Sequence, residues 1–295
     1  MNFTKMHGCG NDYIYIWLDD KVMEDALLPE CVRALYEGAP DMVNEKLAEL
    51  VRFLSDRHFG IGSDGVIFIK RFPKIIADFE MMMYNADGSR GVMCGNGIRC
   101  VGKYVYENGL TSKKQIDVVS CGTSHRLTYD HNKITGRIDF VTVDMGSPVI
   151  TVPSVPVSVP DLPHPFTPVS MGNPHAVMFL PQGTSLETLD IEGPGTRFMH
   201  HPYFPEGVNT EYVIVDDAQS VRMRVYERGS GETLCCGTGC CAVCVAGALN
   251  GLTSDSVTVH TRGGDIYCEW NRKDNIIYMT GPAVTVYEGF IPTEP

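Results

Sequence analysis

Cationic residues are few in this sequence: 24 Lys and Arg stand against 36 Asp and Glu, a net charge of −12 over 295 residues. Nucleic acid and anionic membranes both reward basic patches, so neither is expected as a partner. Long apolar runs are also missing. None approaches the roughly 18 residues that a bilayer span requires. The opening MNFTKMHGCGNDYIYIW has one Lys, early glycines and an Asp, and lacks the order of a secretory signal. A cytoplasmic chain is expected. Paired zinc motifs are lacking as well. Cys241 to Cys244 is a Cys-x-x-Cys, but no second pair or His pair accompanies it, and His260 stands alone downstream. No metal site is expected.

What is present is ordinary for a globular chain: 43% hydrophobic and 20% charged residues. The length permits a large core in one or two domains. Eleven cysteines, an odd number with no export signal, argue for free thiols rather than a disulfide framework. Most should be small buried hydrophobes.

Hydrophobic periodicity marks the elements. Gly8-Cys9-Gly10-Asn11-Asp12 is turn chemistry before a β-rich run at Tyr13–Trp17. Residues 19–43 read as irregular, broken by Pro29 and Pro40. Asn44 can cap a helix whose apolar face is Leu47, Leu50, Val51 and Leu54. Strands are expected at Gly65–Lys70 and Phe79–Tyr84, then a helix after Cys94 with Ile98, Val101 and Val105 on one face. Pro153, Pro156, Pro160, Pro163, Pro165 and Pro168 exclude a central strand and imply an extended surface or edge segment. Strands follow at Ala176–Leu180, Val208–Val213 and Arg222–Tyr226. After a second Gly- and Cys-rich element come Val257–Thr261, Ile266–Trp270 and Ile276–Met279. The tail Ala283–Ile291 alternates like a further strand.

The chain repeats itself. Cys94 stands in Cys-Gly-Asn-Gly and Cys236 in Cys-Gly-Thr-Gly. Asn85 precedes the first by nine residues and Glu227 precedes the second by nine. Asn-Gly-Leu-Thr-Ser begins fourteen residues after each cysteine, at Asn108 and at Asn250. The expected fold is therefore α+β, with two pseudo-symmetric domains, each a curved, mainly antiparallel sheet around a central helix.

Cysteine followed by glycines at a helix start has a definite chemistry. Glycine lets backbone approach a ligand. The unpaired N–H groups of the first turn can hold a carboxylate. The same positive end favours thiolate, lowering the thiol pKa from about 8.5 toward neutrality. A thiolate beside a carboxylate pocket suits removal of the α-proton of an amino acid. Two such elements suggest a pair in which one thiolate takes the proton from one face of the carbon and the other thiol returns one to the opposite face. A lone Cys near Gly is more often structural. Cys235, Cys240, Cys241 and Cys244 interleave with Ala, Val and Gly and read as core, as does Cys100; only Cys94 and Cys236 occupy equivalent places in both repeats. His175, after Gly-Asn-Pro, is a better functional candidate than the other histidines.

Several longer stretches resemble the diaminopimelate epimerase family. They are Met6-His-Gly-Cys-Gly-Asn-Asp-Tyr, Phe59-Gly-Ile-Gly-Ser-Asp-Gly, Asn85-Ala-Asp-Gly-Ser, Cys94-Gly-Asn-Gly-Ile-Arg-Cys and Gly172-Asn-Pro-His. Val208-Asn-Thr-Glu-Tyr, the run from Arg224 through Gly239, and Gly281-Pro-Ala complete the series in family order over almost the whole chain. The resemblance implies a pyridoxal-independent, metal-free isomerase, with no cofactor, that converts LL- to meso-diaminopimelate for lysine and peptidoglycan synthesis. It matches Cys94 and Cys236 to the catalytic thiol pair, and His175 and Glu227 to the residues near the reacting amino group. Gly95, Asn96, Gly237 and Thr238 match the holders of the reacting carboxylate. Asn11, Asn85, Asn173, Asn209 and Arg228 match substrate contacts, with Asn85, Asn209 and Arg228 at the distal amino-acid end. It further implies a homodimer, and domains of residues 1–138 plus 283–295 and 139–282.

Three departures stand out. Gly65 occupies a place where some members have a substrate-contacting Gln, residues 22–43 are longer than in compact members, and Cys235 stands where Ala is common. A neighbouring thiol would make the site more prone to oxidation. Two other readings remain at this stage. One is a related enzyme of the same fold, a proline-type racemase or phenazine-pathway isomerase, against which Arg228 and Asn209 argue because small substrates need no distal clamp. The other is a non-catalytic or metal-binding protein, against which retention of both cysteines argues.

Overall fold

The computed structural model describes all residues except 27, 39–44, 73–75, 130, 133–134, 151–155 and 292–295. Its elements, in chain order, are β1 (Asn2–Gly8), β2 (Asn11–Leu18), α1 (Asp20–Met23), α2 (Glu30–Glu37), α3 (Glu45–Ser55), β3 (Gly65–Arg71), β4 (Phe79–Asn85) and α4 (Gly95–Glu107). Next come β5 (Gln115–Ser120), β6 (Thr123–Thr128), β7 (Phe140–Asp144), β8 (Thr167–Ser170), β9 (Pro174–Phe179) and α5 (Glu192–His200). The chain ends with β10 (Asn209–Asp217), β11 (Ser220–Glu227), β12 (Gly231–Thr233), α6 (Gly237–Leu249), β13 (Ser256–Thr261), β14 (Gly264–Asn271), β15 (Ile276–Pro282) and β16 (Val284–Phe290).

Two compact units form, Met1–Val141 with Ala283–Pro295, and Thr142–Pro282. The change of unit falls inside β7, a few residues beyond the position 138 expected from resemblance. In the first unit the strands run β16-β1-β2-β3-β4-β5-β6. The pairs β2/β3 and β4/β5 are parallel and the other four antiparallel. In the second the order is β15-β14-β13-β11-β10-β9-β8, with β9/β10 and β11/β13 parallel. The same alternation of hairpins and parallel crossovers thus occurs twice.

The helices that the repeats predict are α4 and α6, each 13 residues long. Each has a cysteine at its N-cap and an Asn at its C-cap. Their ends are alike in detail. Gly109 and Gly251 adopt left-handed φ of 68° and 67°. The following Leu110 and Leu252 donate to the Val105 and Gly247 carbonyls, both at 2.9 Å. This double closure satisfies carbonyls a helix end would otherwise leave bare. Helix α6 packs against β8, β9, β10, β13, β14 and β15. Cys240 through Ala246 are all fully buried, as an all-round apolar helix requires.

Helix α4 is more buried than its sequence suggests. Residues Gly95 through Val105 are buried, Arg99 and Lys103 included. These two cations are tolerated because each has acceptors. Arg99 donates to Asn96 Oδ1 at 2.8 Å and to the Gly95 carbonyl at 3.2 Å. Lys103 reaches Glu107 Oε1 at 2.8 Å and the Ile138 carbonyl. A buried charge without such partners would cost several kcal/mol.

Other expectations are refined. Helix α3 buries Leu47, Val51 and Leu54, while its expected cap Asn44 lies outside the described residues. Residues 19–26 and 28–38 are less irregular than expected, because Pro29 opens α2 rather than breaking the chain; the other expected breaker, Pro40, lies outside the described residues. Proline suits a helix start, where its missing N–H is not needed. Helix α5 was not anticipated, since Gly193, Pro194 and Gly195 are poor helix formers. Packing holds it: Phe198 is fully buried against Phe166 and Phe204. A Cβ on Gly195 would stand 2.4 Å from the Tyr226 ring. The proline-rich segment ends in β8, which carries Pro168 at the outer edge of its sheet. The tail forms edge strand β16, but it does not alternate in burial; Val284 through Glu288 are all exposed.

Candidate active site

In the first unit the turn between β1 and β2 places Asn11. Cys9 and Gly10 both have positive φ, 54° and 82°. That is the two-residue hairpin geometry matching strand twist, and it sets Gly8 opposite Asn11. Asn11 Oδ1 then lies 3.1 Å from the Cys94 sulfur. Asn11 Nδ2 donates to Asp64 Oδ2 at 2.9 Å, and the Asp12 backbone N–H donates to the same oxygen at 3.0 Å. Cys94 also caps α4: its sulfur accepts the Gly97 N–H at 3.3 Å. Asn96, buried in the first turn of α4, accepts from Arg99. Asn85 closes its own turn, with Nδ2 donating to Ser89 Oγ at 3.0 Å. At position 65 a Cβ would meet the Tyr84 carbonyl at 2.1 Å. The Gln that the resemblance leads one to expect there does not fit this backbone.

In the second unit Asn173, His175, Glu227, Cys236 and Thr238 meet in one hydrogen-bonded set, while Asn209 and Arg228 bond to each other apart from it. The Cys236 sulfur lies 3.5 Å from Thr238 Oγ1. Asn173 Nδ2 donates to Thr238 Oγ1 at 3.3 Å, and Asn173 Oδ1 lies 3.1 Å from His175 Nε2. His175 Nδ1 is 2.6 Å from Glu211 Oε1, both side chains being fully buried. Glu227 accepts from the Thr233 hydroxyl and is hydrogen-bonded to Cys236. Asn209, buried beside β9, accepts the Arg228 N–H on Oδ1 at 2.7 Å. The exposed Arg228 guanidinium donates to the Glu206 carbonyl at 2.7 Å.

The electrostatics correct one expectation. A helix start was expected to lower the thiol pKa, yet Cys236 is pushed well above the ordinary thiol range. Burial is the main cause, followed by the negative charges of Glu227 and Glu211. Desolvation disfavours the thiolate more than the helix end favours it. Burial likewise raises Glu227, against opposing hydrogen bonds from Cys236 and Thr233 and the field of His175.

The remaining cysteines differ in kind. All eleven are thiols, none of them in a disulfide. Cys235 is buried and hydrogen-bonds with Cys240, and Cys241 with Cys268, inside the core around α6. Cys121 is exposed. Among the described residues, no group of three or more His, Cys, Asp or Glu is arranged to hold a metal ion. None of the described helices is long and apolar enough to cross a membrane.

Sequence reasoning did not select Asp64, Arg99 or Glu211. Glu211 did leave a signal. A charged residue flanked by Thr210 and Tyr212, in a strand buried through Ile214, is out of place unless it serves the site.

The architecture is shared with several solved structures. A probable proline racemase from Agrobacterium radiobacter superposes with a TM-score of 0.67 at 16% identity, over 100% of this chain and 93% of that one. A hydroxyproline epimerase from Agrobacterium vitis gives 0.64 at 17% identity, over 98% and 90%. A phenazine biosynthesis protein from Bacillus anthracis gives 0.66 at 16%, over 98% of both chains. These likenesses define the fold. Sequence defines the family within it, and the chain belongs to the diaminopimelate epimerases. The family profile matches residues 3–151 and 167–286. The diaminopimelate epimerase of Methanococcus maripaludis strain C5 is 42% identical over 99% of each chain, and that of Acetivibrio thermocellus 42% over 98% of each.

Proposed function

We propose that this chain inverts one α-carbon of LL-diaminopimelate to give the meso isomer, using Cys94 and Cys236 as its base and acid and requiring neither pyridoxal phosphate nor a metal. The observation that carries this reading is the matched placement of the two thiols. Each is the N-cap of a 13-residue central helix whose first turn presents N–H groups to a carboxylate, the Gly97 N–H being held by the Cys94 sulfur. One thiolate takes the α-proton and becomes a thiol. The carbanion so formed takes a proton from the second sulfur, which leaves as thiolate. Charge and protons balance, and the next turnover can run in reverse.

The roles of the other groups follow their positions. Gly95, Asn96, Gly237 and Thr238 lie in the first turns and hold the reacting carboxylate, where negative charge grows in the transition state. His175 and Glu227 serve the reacting amino group. Burial and two carboxylates keep Cys236 as the thiol, the form that delivers a proton. Asn11, Asn85, Asn173, Asn209 and Arg228 bind the substrate, with Arg228 taking the distal carboxylate. A requirement for that charged end gives strong selectivity over shorter amino acids. A cytoplasmic homodimer supplying lysine and peptidoglycan synthesis goes with this reading. In support of the dimer, edge strand β16 exposes Val286, Tyr287 and Phe290, an apolar edge suited to cover by a second copy.

The test is incubation with LL-diaminopimelate in D2O without pyridoxal phosphate, with and without chelator. Deuterium should enter one α-carbon regardless of chelator, and Cys94→Ala or Cys236→Ala should abolish its entry. Absence of exchange, or exchange lost to the chelator, overturns the two-thiol reading.

A further inference from the structure

Glu211 lies on β10 with no exposed surface. One carboxylate oxygen meets His175 Nδ1 at 2.6 Å. The other, Oε2, is buried without a hydrogen-bond partner among the described residues. An acid in such a place costs folding free energy, since a half-satisfied buried carboxylate loses water without full replacement. Gln or an apolar residue would fill the space at lower cost. The position is also tight against the start of α6. A Cβ on Gly239 would stand 2.9 Å from Glu211 Oε1 and 3.4 Å from the Cys236 sulfur, so only glycine leaves the carboxylate beside the thiol.

From Glu211 a continuous chain of contacts leads to the sulfur. His175 Nε2 lies 3.1 Å from Asn173 Oδ1, Asn173 Nδ2 donates to Thr238 Oγ1 at 3.3 Å, and that oxygen is 3.5 Å from Cys236 Sγ. A carboxylate has no proton to give, so His175 Nδ1 must donate. That fixes the Nδ1 proton and the ring's orientation, as the acid does in other carboxylate–histidine pairs. Resting on the two-thiol reading, we infer that Glu211 is a positioning residue. It locks His175 through Nδ1 and places a fixed negative charge beside Cys236, holding that sulfur as the proton-delivering thiol. The other groups acting on Cys236 are Glu227 on β11 and Thr238 on α6, while His175 on β9 acts on Glu227.

Glu211→Gln keeps the shape and removes the charge. Its kcat should fall about 10- to 100-fold while KM stays within about threefold, because an orienting contact is lost and no substrate contact. Alkylation of Cys236 by a small thiol reagent, read by peptide mass spectrometry across pH, should reach its midpoint at lower pH than in the wild type; that of Cys94 should not move. A merely structural role would not shift one thiol in that direction. Should the variant fail to fold, nitrogen-15 NMR of wild-type His175 decides, with a proton expected on Nδ1. Wild-type kcat and an unmoved Cys236 midpoint in Glu211→Gln, or a bare Nδ1 in the wild type, overturns the inference. The alkylation and NMR readings need no substrate. They stand even if the wild type fails to exchange deuterium into diaminopimelate, an outcome that would instead refute the proposed activity.

Discussion

The Cys94 sulfur lies 3.1 Å from Asn11 Oδ1, although the two residues are 83 positions apart in the chain. What holds the Asn11 amide is Asp64, which accepts from both the Asn11 side chain and the Asp12 backbone. Without that carboxylate the amide can turn and present its NH2 group to the sulfur. Asp64→Ala is therefore expected to lower turnover about 10- to 100-fold, the usual cost of losing an orienting partner. Steady-state kinetics checks this, with circular dichroism to confirm an intact fold. Unchanged kinetics would mean that its turn and the Tyr13 hydroxyl hold Asn11 without Asp64.

Gly97 and Gly239 occupy the same place in α4 and α6. Alanine inside a helix is ordinarily favoured over glycine by about 1 kcal/mol. Here the opposite is expected. A Cβ at 97 would meet Ile67 Cδ1 at 2.8 Å, and one at 239 would meet Glu211 Oε1 at 2.9 Å and Cys236 Cβ at 3.2 Å. Ile67 can yield at its far end, whereas the Glu211 carboxylate is pinned by His175. Gly239→Ala should thus lose more than about tenfold in turnover and also melt lower, by a clash cost of about 1–3 kcal/mol. Gly97→Ala should melt closer to the wild type. Kinetics and thermal unfolding of the two variants side by side test the contrast.

Glu227 carries a pH signature. Its folded pKa is raised, chiefly by burial. The native state then holds the proton more tightly than the unfolded chain does. This group's contribution is fully present below the unfolded value of 4.5 and is lost as pH rises through the folded pKa. At neutral pH Glu227 accordingly costs stability. Glu227→Gln is expected to melt a few degrees higher than the wild type at pH 7, with the difference closing below pH 4.5. Turnover should fall by about 100-fold or more if the carboxylate handles a proton. Melting curves over that pH range, beside initial rates, decide it; a variant that melts lower at pH 7 contradicts the sign.

Much of this molecule was readable from local spacing. The caps of α4 and α6 depend on a cysteine, a glycine pair and an Asn-Gly-Leu sequence lying within one short run, so neighbouring residues suffice to specify them. The edge position of β8 is likewise local, since Pro168 has no N–H to offer an inner ladder. Helix α5 was hidden because Gly193, Pro194 and Gly195 disfavour it and only Phe166, Phe204 and Tyr226 hold it in place. The burial of Arg99 and Lys103 was hidden for a similar reason. One-face periodicity does not tell how many sides of a helix are covered.

The sequence alone determined which two thiols are singled out, where their helices begin and end, and the family to which the chain belongs. All of these rest on residue identity and on contacts a few positions apart. Tertiary structure alone decided the state of the Cys236 sulfur. The helix start favours thiolate, but burial and two carboxylates, one 9 and the other 25 positions earlier in the chain, outweigh it. Charge–charge interaction acts through space in a water-poor interior, where distance along the chain has no bearing on it.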